Sequence, residues 1–163
     1  MSNYIRPLFS GATIFFTVNL ENRTSDLLVR EVDGLRDAFV RTISNRRFYI
    51  DAAVILPDHL HMVMTLPDGD CDYATRWRVI KARFSRGVDT GNVRPSHIRR
   101  SERGIWQRRY WEHHIRDETD YRAHVEYCWK NPVKHGLVEK PTDWPYSSIH
   151  RDIRAGRVPA EWQ

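Results

Sequence analysis

The chain has 163 residues, an ordinary apolar content of 40% and a formal net charge of +5. This length allows one domain with a substantial core, and no apolar run approaches the roughly 20 residues of a membrane-spanning helix. Two cysteines exclude a disulfide-rich scaffold, and Met1–Arg6 lacks the apolar stretch of a secretory signal, so we expect a single cytoplasmic domain over 1–163.

The first half of the chain predicts a strand, a helix and a pair of strands. Residues 11–20 are rich in Thr, Ile, Phe and Val and predict a strand, while apolar residues at helical spacing predict a helix over 26–44. A mostly apolar strand follows over 48–56, and we expect it to be central in its sheet. A Pro-Asp pair then turns the chain into an antiparallel strand that begins at His59.

The second half predicts two more helices and a fourth strand. In chain order the first elements are a helix over 73–86 with a basic outer face, a loop over 88–104 and a strand over 106–115. Asp117 then predicts the N-cap of a helix that ends at Asn131, since Pro132 supplies no amide donor. We expect an irregular tail over about 143–163.

This order of elements is typical of an α+β, ferredoxin-like fold. It predicts an antiparallel sheet with helices packed on one face, plus an additional C-terminal helix that carries Tyr127. The strand that begins at His59 is then central, and the Tyr127 helix has to pack against its histidine side.

A His-x-His pair is the most informative motif. His59 and His61 alternate with Leu60 and Met62 in the period of two that a half-buried strand shows, so both imidazoles leave the same face. Two imidazoles on one face can chelate a metal ion, although two structural histidines would give the same pattern.

Tyr127 and Asn131 share one face of the predicted C-terminal helix, because four residues separate them. A tyrosine can be a nucleophile, and an amide oxygen can bind a hard metal ion. The residues alone also allow a packed aromatic at 127 and a helix terminator at 131. Lys130 and His124 are candidates to assist the phenol of a nucleophilic tyrosine.

The excess positive charge lies in one quarter of the chain. Residues 76–116 contain twelve Lys or Arg and three acids, whereas the rest has a net charge of −4. Such concentration is typical of a protein with a polyanion partner, although basic stretches can also be plain solvated surface. Arginines would contact phosphates, and aromatic rings would stack on unpaired bases. The predicted DNA-binding residues are Arg76, Arg83, Arg99, Arg100, Arg103, Trp106, Arg108, Arg109, Tyr110 and Trp111.

The chain resembles the REP-associated tyrosine transposases, which are relatives of the single-tyrosine HUH transposases of small insertion sequences. The segments that carry the resemblance are His59-Leu60-His61, 11–20, 105–113, 143–148 and 121–136, the last with its Asn-Pro-Val-Lys-His-Gly run. The resemblance implies that His59, His61 and Asn131 bind Mg²⁺ or Mn²⁺ and that Tyr127 attacks a DNA phosphate. It further implies a substrate of single-stranded DNA that carries a REP-type hairpin.

The sequence therefore predicts a metal-dependent single-strand DNA endonuclease and strand transferase that forms a 5′-phosphotyrosine bond. Relatives in insertion sequences often carry glutamine in place of Asn131, whose side chain is one methylene shorter. A non-catalytic DNA or RNA hairpin-binding protein is the alternative, and a metal-dependent hydrolase is a third reading. Monomer and homodimer are both open, and DNA binding would place the chain at the nucleoid.

Overall fold

The computed structural model describes residues 9–162, so Met1–Arg6 lies outside the described residues. Its strands are β1 Thr13–Asn19, β2 Tyr49–Ile55, β3 His59–Thr65 and β4 Trp111–His114. They form an antiparallel sheet in the order β2-β3-β1-β4, which is the predicted ferredoxin-like order. The strand that carries both histidines is therefore central, as predicted.

The helices lie between and after these strands. They are α1 Leu27–Arg30, α2 Val32–Asn45, α3 Tyr73–Arg86, α4 Pro95–Ile98, α5 Glu118–Lys134 and α6 Ile149–Arg154. Short 3₁₀ turns cover Pro141–Asp143 and Ala160–Trp162. Within residues 9–162, none of the helices has the length and apolar character needed to cross a membrane.

Each face of the sheet has its own core and its own helices, because alternate strand residues point to opposite faces. On one face Phe16 packs with Trp77 of α3, in a cluster that α2 also joins. On the other face Phe15 lies in a second cluster with Val125 of α5. We call the first the α3 face and the second the histidine face, because the register of β3 places both histidines there.

Helix α5 runs three residues further than predicted. Asp117 caps it as expected, since its side chain accepts an amide of the first turn at 2.8 Å. The expectation that Pro132 ends the helix is wrong. Proline removes one amide donor, but the helix continues past it, and the His135 amide donates to the Asn131 carbonyl at 3.0 Å. Gly136, with φ +67°, ends the helix in the left-handed conformation that glycine favours.

Two predicted elements are interrupted. The helix expected over 26–44 is divided into α1 and α2, because Glu31 (φ −107°, ψ 30°) leaves helical geometry. The strand expected over 106–115 is reduced to β4, and the segment before it turns toward α3, where Lys81 Nζ donates to the Gln107 carbonyl at 2.8 Å. Helix α4 interrupts the predicted loop.

Strand β2 lies at an edge of the sheet, so the expectation that it is central is wrong. Residues 146–148 cover its outer edge, with backbone hydrogen bonds of 2.9 and 2.8 Å to Ile55 and Ala53. The strand is therefore covered despite its edge position, which explains its apolar composition. The expectation of an irregular tail over 143–163 is also wrong, since α6 buries Ile149 in the second core.

Candidate active site

His59 and His61 lie side by side on the histidine face, with ring centroids 5.0 Å apart. Both are buried, each with 4% of its surface exposed. The β1–β3 register places them opposite Asn19 and Thr17. The predicted common face is confirmed, and the two imidazoles are close enough to bind the same ion.

One nitrogen of each ring is held by a neighbouring side chain. His59 Nδ1 lies 2.7 Å from Oδ1 of Asp58, and His61 Nδ1 lies 2.8 Å from Oγ1 of Thr17. These contacts fix the orientation of both rings and leave each Nε2 for another partner. Metal-binding histidines are commonly oriented in this way through the nitrogen that does not bind the metal.

Burial favours the neutral form of both imidazoles. It lowers the pKa of His61 to about 3, and the neighbouring His59 adds to the effect. Burial also lowers the pKa of His59, although the hydrogen bond with Asp58 opposes it. Burial acts to raise the pKa of Asp58, but hydrogen bonds with His59 and Arg23 outweigh it and keep that pKa below its ordinary value. Neutral imidazole is the form that binds a metal ion.

Asn131 brings an amide to the two imidazoles. Helix α5 packs on the histidine face and buries this residue completely. Its amide acts to raise the pKa of His61, which places it beside that ring. Among residues 9–162, however, neither the Asn131 side-chain oxygen and nitrogen nor His61 Nε2 has a well-aligned hydrogen-bond partner. Such buried groups cost roughly 1–3 kcal/mol each when unpaired, so this set of donors fits a divalent cation.

Tyr127 presents its phenol at the same place. Its ring centroid lies 5.1 Å from that of His61, and 36% of the residue is exposed. Because four residues separate it from Asn131, one face of α5 supplies both the phenol and the amide. The Phe15 ring packs edge-on against Tyr127 at 5.7 Å and supports it from the sheet. The phenol is open enough for a phosphate to reach it.

Lys134 is a cation beside this phenol. Its Nζ lies 3.4 Å from the Tyr127 oxygen and 4.9 Å from the centre of the ring. The two residues expected from the sequence to assist Tyr127 are bound elsewhere. Lys130 pairs with Glu126 at 3.1 Å, and His124 Nδ1 lies 2.8 Å from a backbone carbonyl of its own helix.

Four neighbours of the site were not predicted from the sequence. They are Thr17, Asp58, Lys134 and His135. The His135 ring lies 5.1 Å from that of His59. Lys134 and His135 follow Tyr127 and Asn131 at seven and four residues, so helical spacing could have identified them. Thr17 left no signal, because only the strand register brings it to His61.

A second group of possible metal donors lies where β4 meets the first two turns of α5. His113 Nε2 and His124 Nδ1 lie 2.9 and 3.2 Å from the Asp120 carboxylate, and the two rings stack 4.7 Å apart. Arg116 bonds the same carboxylate through its backbone and side chain, at 3.0 and 3.2 Å. The hydrogen bond from His113 contributes most to holding the pKa of Asp120 well below its ordinary value. These side-chain contacts join β4 to α5 and account for the cluster.

The predicted DNA-binding arginines are not all on the surface. Arg76 is 2% exposed, and it bonds the Asp70 carboxylate, the carbonyl of Asp72 at the start of α3 and the carbonyl of Arg47 between α2 and β2. Its prediction as part of a basic outer face is wrong, because it anchors the helix instead. The other predicted arginines are exposed or half-buried, namely Arg83, Arg99, Arg100, Arg103, Arg108 and Arg109.

A groove of about 760 Å³ runs along α3 on the α3 face. Its lining includes Lys81, Arg100, Arg103, Trp106, Arg108 and Tyr110. Trp106 and Tyr110 are half-buried against the core, and Lys81 lies 6.0 and 5.3 Å from the centres of their rings. Trp111 is instead 65% exposed and pairs with Thr17 on the histidine face. The three predicted stacking residues are therefore divided between the two faces.

The sequence similarity to known proteins covers nearly the whole chain. It is 46% identical over 162 residues to the REP-associated tyrosine transposase of Escherichia coli (strain K12), spanning 99% of this chain and 91% of that protein. The chain belongs to the REP-associated tyrosine transposase family. Membership in this family makes it an enzyme of DNA breakage and rejoining. No protein-family model matches the chain.

Two further comparisons agree with this membership. A Haemophilus influenzae protein provisionally given the same family name is 43% identical over 164 residues, which span 99% of this chain and 93% of that protein. A solved structure of the REP-associated tyrosine transposase bound to a REP hairpin matches with a TM-score of 0.86 at 45% identity. That match covers 100% of this chain and 92% of the other, and it confirms the fold predicted from sequence.

Proposed function

We propose that this chain cuts and rejoins single-stranded DNA at REP-type hairpins through a covalent bond between Tyr127 and the DNA. The observation that carries the proposal is the contact of the Tyr127 ring with His61, beside the buried amide of Asn131, which has no well-aligned hydrogen-bond partner among residues 9–162. One copy of the chain supplies all of these residues. The family member solved with a REP hairpin supports hairpin DNA as the substrate.

Tyr127 acts as the nucleophile in this reaction. Its oxygen attacks the scissile phosphorus, a new P–O bond forms, and the bond to the 3′ oxygen breaks. The phenol loses one proton and the departing 3′ oxygen gains one, so the step is balanced. The resulting 5′-phosphotyrosine keeps the free energy of the phosphodiester, so a second 3′-hydroxyl can displace Tyr127 and rejoin the DNA without ATP.

His59, His61 and Asn131 would hold a divalent cation during this reaction. A bound Mg²⁺ or Mn²⁺ would supply a Lewis acid that neutralises charge on the phosphate oxygens. Two imidazole donors favour Mn²⁺, because imidazole is softer than the ligands Mg²⁺ prefers. The burial of Asn131 beside His61 supports its place in this set, although its side chain is one methylene shorter than glutamine.

The exposed arginines of 88–104 and the groove on the α3 face would hold the hairpin through its phosphates. The reacting strand then has to pass the β4 edge to reach Tyr127 on the other face. Trp111 is exposed on that edge and offers a stacking surface for an unpaired base. Such work on DNA supports a location in the cytoplasm, at the nucleoid while bound.

A covalent adduct tests this function directly. The purified chain is incubated with Mn²⁺ and a single-stranded oligonucleotide that contains a REP hairpin and is labelled at its 3′ end. We expect a labelled, protease-sensitive band of low mobility on a denaturing gel, because the protein joins the 5′ end of the downstream fragment. Cleavage without an adduct would indicate a hydrolase, and binding without cleavage would indicate a hairpin-binding protein. Either result would refute the proposal.

A further inference from the structure

Lys134, the last residue of α5, lies beside the nucleophile but has no role in the reaction described above. Its ammonium lies 3.4 Å from the Tyr127 oxygen and 4.9 Å from the centre of the ring. Within residues 9–162, no carboxylate forms an ion pair with it. Its positive charge is therefore available to a substrate that reaches Tyr127.

We propose that Lys134 is a catalytic residue that binds the scissile phosphate while Tyr127 attacks it. The inference rests on the proposed function, since it assumes that Tyr127 is the nucleophile. In the covalent intermediate the phosphorus is bonded directly to the phenol oxygen. A cation within hydrogen-bond distance of that oxygen is therefore also within reach of the phosphate's non-bridging oxygens. An ammonium–phosphate hydrogen bond is charge-assisted and roughly twice as strong as a neutral one.

The fold holds Lys134 where this contact requires it. The residue lies in the last turn of α5, where the unpaired carbonyls carry partial negative charge and favour a cation. The face of the Tyr127 ring adds a cation–π attraction, which keeps the side chain over the phenol. His135 caps the helix and Gly136 follows in the left-handed conformation, so the position of Lys134 depends on the helix end rather than on a loop.

The same contact serves both halves of the reaction. During cleavage the Tyr127 oxygen bonds to phosphorus and the 3′ oxygen departs, while Lys134 stays beside the non-bridging oxygens. During rejoining a 3′-hydroxyl attacks the same phosphorus, and the phenol oxygen departs and regains a proton. Lys134 gains and loses no proton in either direction, so the balance of the reaction is unchanged.

Lys130 is a matched control on the same helix. It lies one turn before Lys134 and carries the same charge. It pairs with Glu126 at 3.1 Å and lies 4.3 Å from the centre of the Trp162 ring instead of near the phenol. Replacing either lysine with methionine removes one charge from α5 and keeps most of the side chain's bulk.

The experiment compares Lys134→Met, Lys134→Arg and Lys130→Met with the parent chain in single-turnover adduct formation with the REP-hairpin oligonucleotide and Mn²⁺. We expect Lys134→Met to slow adduct formation at least tenfold, Lys134→Arg to restore a substantial part of the rate, and Lys130→Met to leave it unchanged. The thermal unfolding midpoint should stay close to the parent value in all three variants, because both lysines are exposed. Hairpin affinity should also stay close to the parent value, because the basic groove on the α3 face supplies most of it.

A second measurement needs no catalysis. In protein labelled with ¹³C-tyrosine, the NMR signals of the Tyr127 ring, assigned through Tyr127→Phe, should move in Lys134→Met and not in Lys130→Met. Parent-like adduct formation by Lys134→Met would overturn the role of Lys134 and leave the proposed function intact. A parent chain that forms no adduct would instead overturn the proposed function, and this inference with it.

Discussion

The two faces of the sheet use polar groups in opposite ways. On the histidine face the two imidazoles and the Asn131 amide are buried, and each imidazole is oriented by a neighbour, as with His61, which Thr17 holds through one ring nitrogen. On the α3 face the charges are exposed arginines around an open groove. Oriented groups in a dry site control the rate of a reaction, whereas exposed cations control affinity for a polyanion and its salt dependence. Substitutions should therefore divide into two classes.

The largest effect should come from Tyr127→Phe. The change removes one oxygen and keeps the ring that packs against Phe15 and His61, so fold and hairpin affinity should not change. Covalent adduct and cleaved product should both vanish on the denaturing gel. Tyr121→Phe is the control, because burial raises the pKa of Tyr121 to about 12 and its ring packs on the second core. Parent-rate cleavage by Tyr127→Phe would show that another group is the nucleophile.

Loss of the proposed metal site should come next. His59→Ala and His61→Ala should each reduce adduct formation by about 100-fold or more, since each removes a ligand from the site. EDTA should have the same effect on the parent chain. Hairpin affinity, measured by fluorescence anisotropy, should stay within about twofold because the basic groove lies on the other face. Full activity in EDTA would contradict a role for metal.

Neutralising the basic surface should change affinity while the adduct-forming step survives. With Arg99, Arg100 and Arg103 replaced together by alanine, the slope of log affinity against log salt should flatten by about 0.7 for each phosphate that is no longer neutralised. Arg41→Ala is a control, because Arg41 is exposed on α2 and pairs with Asp37 at 2.8 Å. At saturating DNA the triple variant should form adduct at the parent rate. An unchanged slope would move the DNA path to another surface.

The smallest expected effects are those of replacing Trp111 or Trp106, which should change different properties. Trp111→Ala should weaken single-strand binding by about 1–3 kcal/mol without changing stability, because the ring is exposed on the β4 edge. Trp106→Ala should lower the unfolding midpoint, because its ring packs against Phe84 at 5.4 Å in the core. Calorimetry and binding titrations on both variants distinguish the effects. Unchanged affinity in Trp111→Ala would remove that ring from the DNA path.

Local patterns were sufficient for much of this fold. Period-two alternation placed His59 and His61 on one face, and the helical period gave the bounds of α3 over 73–86. The Asp117 cap was also visible, because a cap depends on residues that are adjacent in sequence. Four-residue spacing likewise brought Tyr127 and Asn131 together on one side of α5.

The errors concern contacts between residues that are distant in sequence. Arg76 looked like its basic neighbours on α3, and only packing against the carbonyl of Arg47 shows that it is buried. The apolar composition of strand β2 predicted a central position. The strand is apolar because residues 146–148, which lie nearly a hundred positions later, cover its edge. Four-residue spacing places Asp120 and His124 on one face of α5, but His113 joins them only through the position of β4, which pairs with β1.

The cover over β2 also has a consequence for chain length. Arg151 donates to the carbonyl of Ile50 at 2.8 Å and to that of Asp51, which adds side-chain bonds to those made by residues 146–148. A chain truncated at residue 143 would keep Tyr127 and both histidines but expose an apolar strand edge. Such edges pair readily with other copies, so the truncated protein should aggregate. Residues 144–162 thus limit self-association of the protein, although they contribute no ligand to the proposed metal site.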